Sequence, residues 1–333
     1  MADHDGPIAV AVSGGSDSLA LMHLLRGFAK ARKRPAPLVL TVDHGLHKSS
    51  AANARKVAAW ATKAGLKTEI LTWTGSKPKS GIEAAAREAR YRLMGEWLAK
   101  RKIATLFVGH TGDDQAETFL LRLARGSGLD GLAAMRARSP WPVPGFAGLM
   151  VARPLLDASR DELRAHLKSL KQPWLDDPMN DDPAFDRVKI RKAMAALAEA
   201  GLTAPRIAAA AAHLARARES LEIVTEAVLA RAVRTQPSGV LLDPAVLVAA
   251  PREVGLRALA GVLMAVSGQA YRPRFEALER LFDRIGGGTL GAGATLHGCH
   301  IRPAGRAGKD FVPAALWLTP ESPRKTVSST GKA

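Results

Sequence analysis

The chain has little cysteine, few acids relative to its bases, and no long apolar run. Cys299 is its one cysteine among 333 residues. A single thiol excludes an internal disulfide, a Cys-x-x-Cys pair and any iron–sulfur or zinc site built from cysteines. No uncharged apolar stretch is long enough for a membrane span, and the first residues lack the basic-then-apolar pattern of a secretory leader. The expectation is therefore a cytoplasmic protein with no membrane partner. Acids are outnumbered by bases, 31 Asp+Glu against 48 Lys+Arg, for a formal charge of +17. A basic, GC-rich proteome, visible in the heavy Ala, Arg and Gly usage, explains part of this excess. The remainder points to a polyanionic partner, most simply nucleic acid. No internal repeat is present. Hydrophobic residues make up 47% of the sequence, and the length suits one large domain plus a smaller one.

What is present is organised around the first strand and turn. Ile8 to Val12 are five apolar residues of the kind found in a strand buried on both faces. Ser13-Gly14-Gly15-Ser16-Asp17-Ser18 follows, then a helical run from Leu19 to Leu25. Strand, glycine turn and helix N-terminus together make an anion cradle. Glycines let the backbone approach a phosphate, while free N–H groups and the helix dipole point at it. The usual P-loop adds a Lys-Ser or Lys-Thr pair, and this turn has neither. Charge on the phosphates must then be met by a metal or by basic groups elsewhere. The run SGGSDS resembles the pyrophosphatase loop of the N-type ATP pyrophosphatases.

Strand and helix patterns alternate beyond it. Apolar runs at 37–42, 67–71 and 103–108 read as strands, and the segments 50–64 and 82–100 as helices. The fold expected is α/β, a doubly wound, Rossmann-like parallel sheet. Ligands in such sheets sit beyond the carboxyl ends of the strands. The polar groups at 13–18, at Asp43 and His44, and at Gly109 and His110 all fall there.

The fourth strand runs into His110-Thr111-Gly112-Asp113-Asp114-Gln115-Ala116-Glu117, which opens a helix. Asp114 and Glu117 share a helical face. Acid enrichment that complements the helix dipole accounts for Asp113 and Asp114. It does not account for His110 and Glu117 together at a buried strand end, since clustered carboxylates are costly without a cation. Such a cluster would bind Mg²⁺ or grip an ammonium group. Further on, 151–156 reads as a strand, and Ser159 with Glu162 makes a capping box for the next helix. An acidic loop at 176–182 precedes Arg187, Lys189, Arg191 and Lys192, whose charges either bind that loop or reach a ligand.

SGGSDS, VDHGL, GHTGDDQAETFLLRLARGSGLDGL, RPLL with SRDEL, and WLDDPMNDDPAFDRVKIR occur in order between residue 8 and about residue 195. Together they resemble the tRNA(Ile)-lysidine synthetase family. The resemblance implies an N-type ATP pyrophosphatase domain that uses ATP and Mg²⁺ to adenylate the C2 oxygen of the wobble cytidine. The tRNA is tRNA(Ile) with anticodon CAU, and the side-chain amine of free L-lysine then displaces AMP. Ser13, Gly14, Gly15, Ser16, Asp17 and Ser18 would hold the phosphates, with Asp43, His44, Gly109, His110 and Asn180 as further nucleotide contacts. Asp17 would be the metal-side carboxylate, and Asp114 and Glu117 would recognise the lysine ammonium. His110 would lie near the reacting centre and Arg191 would reach into the site. Arg90 is preferred over Arg87 as the basic residue that stabilises phosphate or the adenylated intermediate. Two positions depart from the family pattern. His47 stands where arginine is commoner, which weakens a nucleotide contact there. Gly112 stands where alanine is usual, a change expected to be harmless.

From Pro205 long Ala/Arg/Leu helical runs, one ending at Arg234, give way to glycines and short β-like pieces near 294–302. The expected division is a catalytic domain at 1–200 and a linker helix at 201–236. A small, basic, mainly helical domain with a hairpin would follow at 237–319 as the tRNA contact, then a disordered tail at 320–333, as in the shorter form of the family. A homodimer is the default expectation. Among rivals, a tRNA thiolase of the same superfamily needs paired cysteines, and GMP- or NAD-synthetase-type enzymes leave the basic charge and the HTGDDQAET block unexplained. A non-catalytic tRNA-binding protein on a degenerate nucleotide fold leaves the intact Asp17, Asp114 and Glu117 unexplained.

Overall fold

In the computed structural model the described residues are 6–78, 80–176, 186–269, 271–305 and 311–321. The chain divides into two compact units, Met1–Ala215 and Arg216–Ala333. The first contains strands β1 (Ala9–Ala11), β2 (Leu38–Asp43), β3 (Thr68–Thr72), β4 (Thr105–Phe107), β5 (Arg138–Pro140) and β6 (Met150–Ala152). Their order is β3-β2-β1-β4-β6-β5, with every pairing parallel except β5 on β6. Helices α1 (Ser16–Ala31), α2 (Ser50–Lys63), α3 (Ile82–Lys100), α4 (Gly112–Ala124), α5 (Leu129–Leu132), α6 (Arg160–Ser169) and α7 (Asp186–Glu199) connect and follow them.

The central strand shows why the first apolar run had no alternation. Val10 enters one core with Leu19, Leu21, Val39, Val57 and Phe107, whereas Ala9 enters the other with Leu40, Met94, Leu98 and Leu106. Each residue of β1 therefore faces apolar neighbours on its own side, as the strand pattern predicts. Most observed and expected element ends differ by one or two residues, the ordinary scatter of helix and strand termini; the strand expected at 151–156 is the exception, observed only over Met150–Ala152. The antiparallel β5 was not expected. It is three residues long and ends in Pro140, which an edge strand tolerates.

The division between the units falls inside α8 (Ala204–Ala232), a helix shorter at its end than expected. Val233–Gln236 is a strand, β7, where the sequence predicted helix, and it pairs with β8 (Gly239–Leu242). Helices α9 (Pro244–Ala249), α10 (Arg252–Ser267) and α11 (Phe275–Gly286) follow, then β9 (Ala294–Leu296), β10 (Cys299–Pro303) and β11 (Leu316–Pro320). In place of the single predicted hairpin there is an antiparallel sheet of order β7-β8-β11-β10-β9. Its pairing of Leu316 with Leu242 joins residues far apart in sequence, which no local pattern signals. Helices remain the larger part of this unit, and α10 is its core element, with Val254, Leu259 and Leu263 packed on Phe282 and Leu318. Strand β11 takes in Pro320, the first residue of the predicted tail; residues 322–333 lie outside the described part.

Candidate active site

The turn after β1 is held by its own hydroxyls. Ser18 Oγ accepts from the Ser13 N–H at 3.2 Å and donates to the Gly15 carbonyl at 3.0 Å, with Ser13 Oγ 3.3 Å away. Gly14 has φ +98, and a Cβ there would lie 2.6 Å from Leu175 Cδ1 and 2.9 Å from Val57 Cγ2. Only glycine satisfies both constraints. Gly15 is the N-cap of α1 and, having no side chain, leaves the first turn without a side-chain cap. Backbone donors at the start of α1 are thus available to an anion. At the end of β4, a Cβ on Gly109 would lie 2.9 Å from the Asp17 carbonyl group, so glycine permits the close approach of that strand end to the loop.

Helix α4 starts beside this loop and is capped in full. The Thr111 N–H donates to Asp114 Oδ2 at 2.9 Å, and the Asp114 N–H to Thr111 Oγ1 at 3.3 Å. Asp114 and Glu117 are 7% and 1% exposed. Helix α6 starts with the predicted Ser159–Glu162 box, the Ser159 N–H donating to Glu162 Oε2 at 2.7 Å. That bond holds the Glu162 carboxyl below the usual carboxylate range. The Arg160 N–H donates to Asp113 Oδ2 at 2.7 Å, which locks α6 onto α4. Gly112 fits tightly between them; an alanine Cβ would lie 3.3 Å from the Leu156 carbonyl oxygen.

The cation that the carboxylates require comes from two arginines. Arg160 directs Nε to Asp17 Oδ2 at 3.3 Å, and Nη2 to Asp114 Oδ1 and to Glu117 Oε1 at 3.4 Å each. Arg191, on α7, donates from Nε to Glu117 Oε1 at 2.6 Å and from Nη2 to Oε2 at 3.3 Å. Burial pushes Asp17 up despite the opposing charge of Arg160 and a hydrogen bond from Ser16. Burial alone would lower Arg160, but Glu117, Asp17, Asp114 and Asp113 outweigh it and raise it.

His110 faces a different set of charges. Arg153 Nε donates to His110 Nδ1 at 3.1 Å, and Arg153 Nη1 is anchored by the Arg136 carbonyl and Ser139 Oγ at 3.0 Å each. Burial, reinforced by Arg153, Arg87 and Arg187 and opposed by Asp114, lowers the His110 pKa to about 4. The ring is neutral at pH 7, and because Nδ1 accepts, the proton sits on Nε2.

Not every predicted residue joins this cluster. Asp43 Oδ1 accepts from Ser50 Oγ at 2.5 Å and from the Gly45 N–H at 3.1 Å, and His44 Nδ1 accepts from the Leu46 N–H at 3.2 Å. Both side chains build the turn leading into α2. Arg90 and Arg87 are exposed on α3. The charge of Arg87 reaches His110 and Arg153, and its guanidinium lies 5.0 Å over the Tyr91 ring. Asn180 lies outside the described residues. Arg153 and Arg160 were not singled out from the sequence, although both stand in quoted motifs, RPLL and SRDEL.

Among the described residues no group of three or more His, Cys, Asp or Glu is placed to cage a metal. Mg²⁺ carried by a nucleotide needs only one or two carboxylates beside the phosphates, and Asp17 supplies one at the loop. The donor set suits a metal that arrives with phosphates and not a protein-only site.

A family described as the PP-loop domain matches residues 2–197. A tRNA(Ile)-lysidine synthase of Ruegeria pomeroyi is 40% identical over 300 residues, 90% of this chain and 69% of that protein. One from Methylobacterium nodulans is 40% identical over 329 residues, covering 96% of this chain and 92% of the relative. Among solved structures, a U34-tRNA thiolase from Methanococcus maripaludis superposes with a TM-score of 0.50 at 16% identity, over 66% of this chain and 73% of its own. That likeness is one of fold alone.

Proposed function

The chain belongs to the PP-loop domain family and, within it, to the tRNA(Ile)-lysidine synthases, and we propose that it ligates free L-lysine to the wobble cytidine of CAU-anticodon tRNA(Ile). It is a C–N ligase of the ATP pyrophosphatase type and uses ATP. The observation that carries the detailed reading is the meeting of an anion-binding helix end with buried carboxylates. Through Arg160, Asp17 of the loop is within one side chain of Asp114 and Glu117. A phosphate site at the loop and an ammonium site at these carboxylates would then share a wall.

In this reading the amides of 14–18 hold the triphosphate with its α-phosphorus exposed. Mg²⁺, held beside Asp17, would supply charge neutralisation for the pyrophosphate leaving group. The C2 oxygen of the cytidine attacks the α-phosphorus, an oxygen–phosphorus bond forms, and pyrophosphate leaves. The lysine side-chain amine, deprotonated, then attacks C2, and AMP leaves with the C2 oxygen. Asp114 and Glu117 hold lysine through an ammonium group. His110, neutral with its proton on Nε2, donates a hydrogen bond near the reacting centre and is not the base. Arg191 orients Glu117; Asp43, His44, Gly109 and Asn180 are further nucleotide contacts, and Arg90, preferred over Arg87, stabilises phosphate or the adenylated intermediate. The second unit, with the small basic domain predicted for 237–319, contacts the tRNA.

A thiolase reading has no cysteine pair to use, since Cys299 is alone and buried. Pyrophosphate release from ATP, measured with transcripts of CAU-anticodon tRNA(Ile) and with initiator methionine tRNA as control, tests the proposal. Release that needs the isoleucine tRNA, with lysine becoming covalently attached, is the expected result. Release that ignores tRNA and responds to a small acid or amide donor would overturn it, as would tRNA binding with no release.

A further inference from the structure

The three carboxylates of the site each have one short hydrogen bond, and all three share one guanidinium. Asp17 Oδ1 accepts from Ser16 Oγ at 2.9 Å, Asp114 Oδ2 from the Thr111 N–H at 2.9 Å, and Glu117 Oε1 from Arg191 Nε at 2.6 Å. All three also meet the same guanidinium, Arg160, at 3.3 to 3.5 Å, the outer edge of hydrogen-bond range. Nη2 of Arg160 lies 3.4 Å from Asp114 Oδ1 and 3.4 Å from Glu117 Oε1, which is where a bound ammonium nitrogen would have to sit. Two cations cannot share that place. Without any cation there, ionised Asp17, Asp114 and Glu117 would repel one another in a site largely closed to water.

We infer that Arg160 is the resident cation of the amine site: it holds the seat between Asp114 and Glu117 and yields it to the substrate ammonium while keeping Asp17. This rests on the reading of Asp114 and Glu117 as the ammonium site. The backbone of Arg160 does not move, because its N–H is fixed by Asp113 at 2.7 Å and the Ser159–Glu162 box closes the turn around it. Only the side chain swings, and its bonds there are weak enough to break. Lysine affinity in the resting enzyme is therefore the outcome of a competition, and the competitor is tethered to the phosphate loop through Asp17. Arg160 is a positioning residue in the reaction.

The test is calorimetric titration of L-lysine into the full chain without ATP or tRNA, for the wild type, Arg160→Gln and Arg160→Lys, with lysine KM and kcat measured alongside. Removing the competitor should tighten lysine binding about tenfold in Arg160→Gln, equivalent to about 1.4 kcal/mol. Arg160→Lys should fall between, and kcat should drop in both as Asp17 loses the Arg160 guanidinium. A purely structural arginine would give the opposite sign, with weaker binding as the carboxylates separate. Equal or weaker lysine binding in Arg160→Gln overturns the inference. If that variant fails to fold by circular dichroism, Arg160→Lys carries the same comparison, and unchanged lysine affinity there overturns it. Asp114→Asn separates the two layers of argument. If it abolishes lysine binding while the Arg160 variants change nothing, only the role of Arg160 fails. If it leaves lysine binding untouched, the ammonium site is elsewhere and both readings fail.

Discussion

Two helix starts meet at the carboxyl edge of the sheet, and they are finished in opposite ways. Helix α1 opens on Gly15 with no side-chain cap, whereas α4 opens on a closed Thr111–Asp114 box. At α1 the N-cap residue has no side chain to satisfy the first-turn amides, and Gly14 takes a backbone conformation that other residues rarely adopt. At α4 the same kind of amide is bonded within the protein, which fixes the helix and leaves Asp114 Oδ1 and the Glu117 carboxylate directed at Arg160 and Arg191. An open end binds a ligand through its backbone. A closed end presents side chains, and the proposed ammonium site needs it closed, because a carboxylate that holds substrate tolerates little displacement.

The largest expected effect breaks the open end outright. Gly14→Ala has no room for its Cβ and carries the strain of φ +98, so the loop shifts and pyrophosphate release should fall about 100-fold or more. Next is the closed end. Glu117→Ala takes from Arg191 its buried carboxylate and from Arg160 one of three, and urea unfolding of the first unit should lose about 3 kcal/mol, together with activity. Unchanged stability would mean that the ion pairs contribute nothing net. A sharper test turns one end into the other. At Gly15 the backbone is ordinary and the only near atom is Ser13 Oγ at 3.8 Å. Gly15→Ser should therefore fold, gain a few tenths of a kcal/mol from the new cap, and raise the KM for ATP about tenfold. Normal ATP affinity in a stabilised Gly15→Ser would refute the contrast between the ends.

The smallest effect at neutral pH concerns His110. Its folded pKa is depressed to about 4 from 6.5, so the folded state binds fewer protons than the unfolded one between those values. The stability it contributes is complete above about pH 6.5 and declines as the pH falls toward 4. The imidazole proton resonances of His110 should titrate near 4 by NMR, and Arg153→Leu should move that midpoint upward. A midpoint near 6.5 in the wild type would mean the ring is not buried among arginines.

How much of this was legible in the chain follows distance along the chain. The loop, the Ser159–Glu162 box and the strand-to-helix alternation are made by neighbours within a few residues, so their residue types carry them. The arginines that define the site electrostatically act across long separations: Arg153 on His110, Arg160 on Glu117 and Arg191 on Glu117. Arg160 could have been found only by asking why a basic residue follows a cap whose own preference is for acids in the first turn. Strand β7 was read as helix because Val-Arg-Thr-Gln has no period of its own, and its pairing with β8 decides its conformation.

By itself the amino-acid order determined that a parallel α/β sheet would form, that a glycine turn would end its first strand, and that acids and a histidine would gather beyond its fourth. These follow from local sterics and from apolar burial, which read directly from residue type and spacing. Only the tertiary structure decided which charges meet. It placed one guanidinium among three carboxylates and another against Glu117, set His110 against Arg153, and bonded Asp43 and His44 into the turn before α2. Coulomb energy and desolvation depend on distances of a few ångströms between segments far apart in the chain, and those distances exist only once the chain has folded.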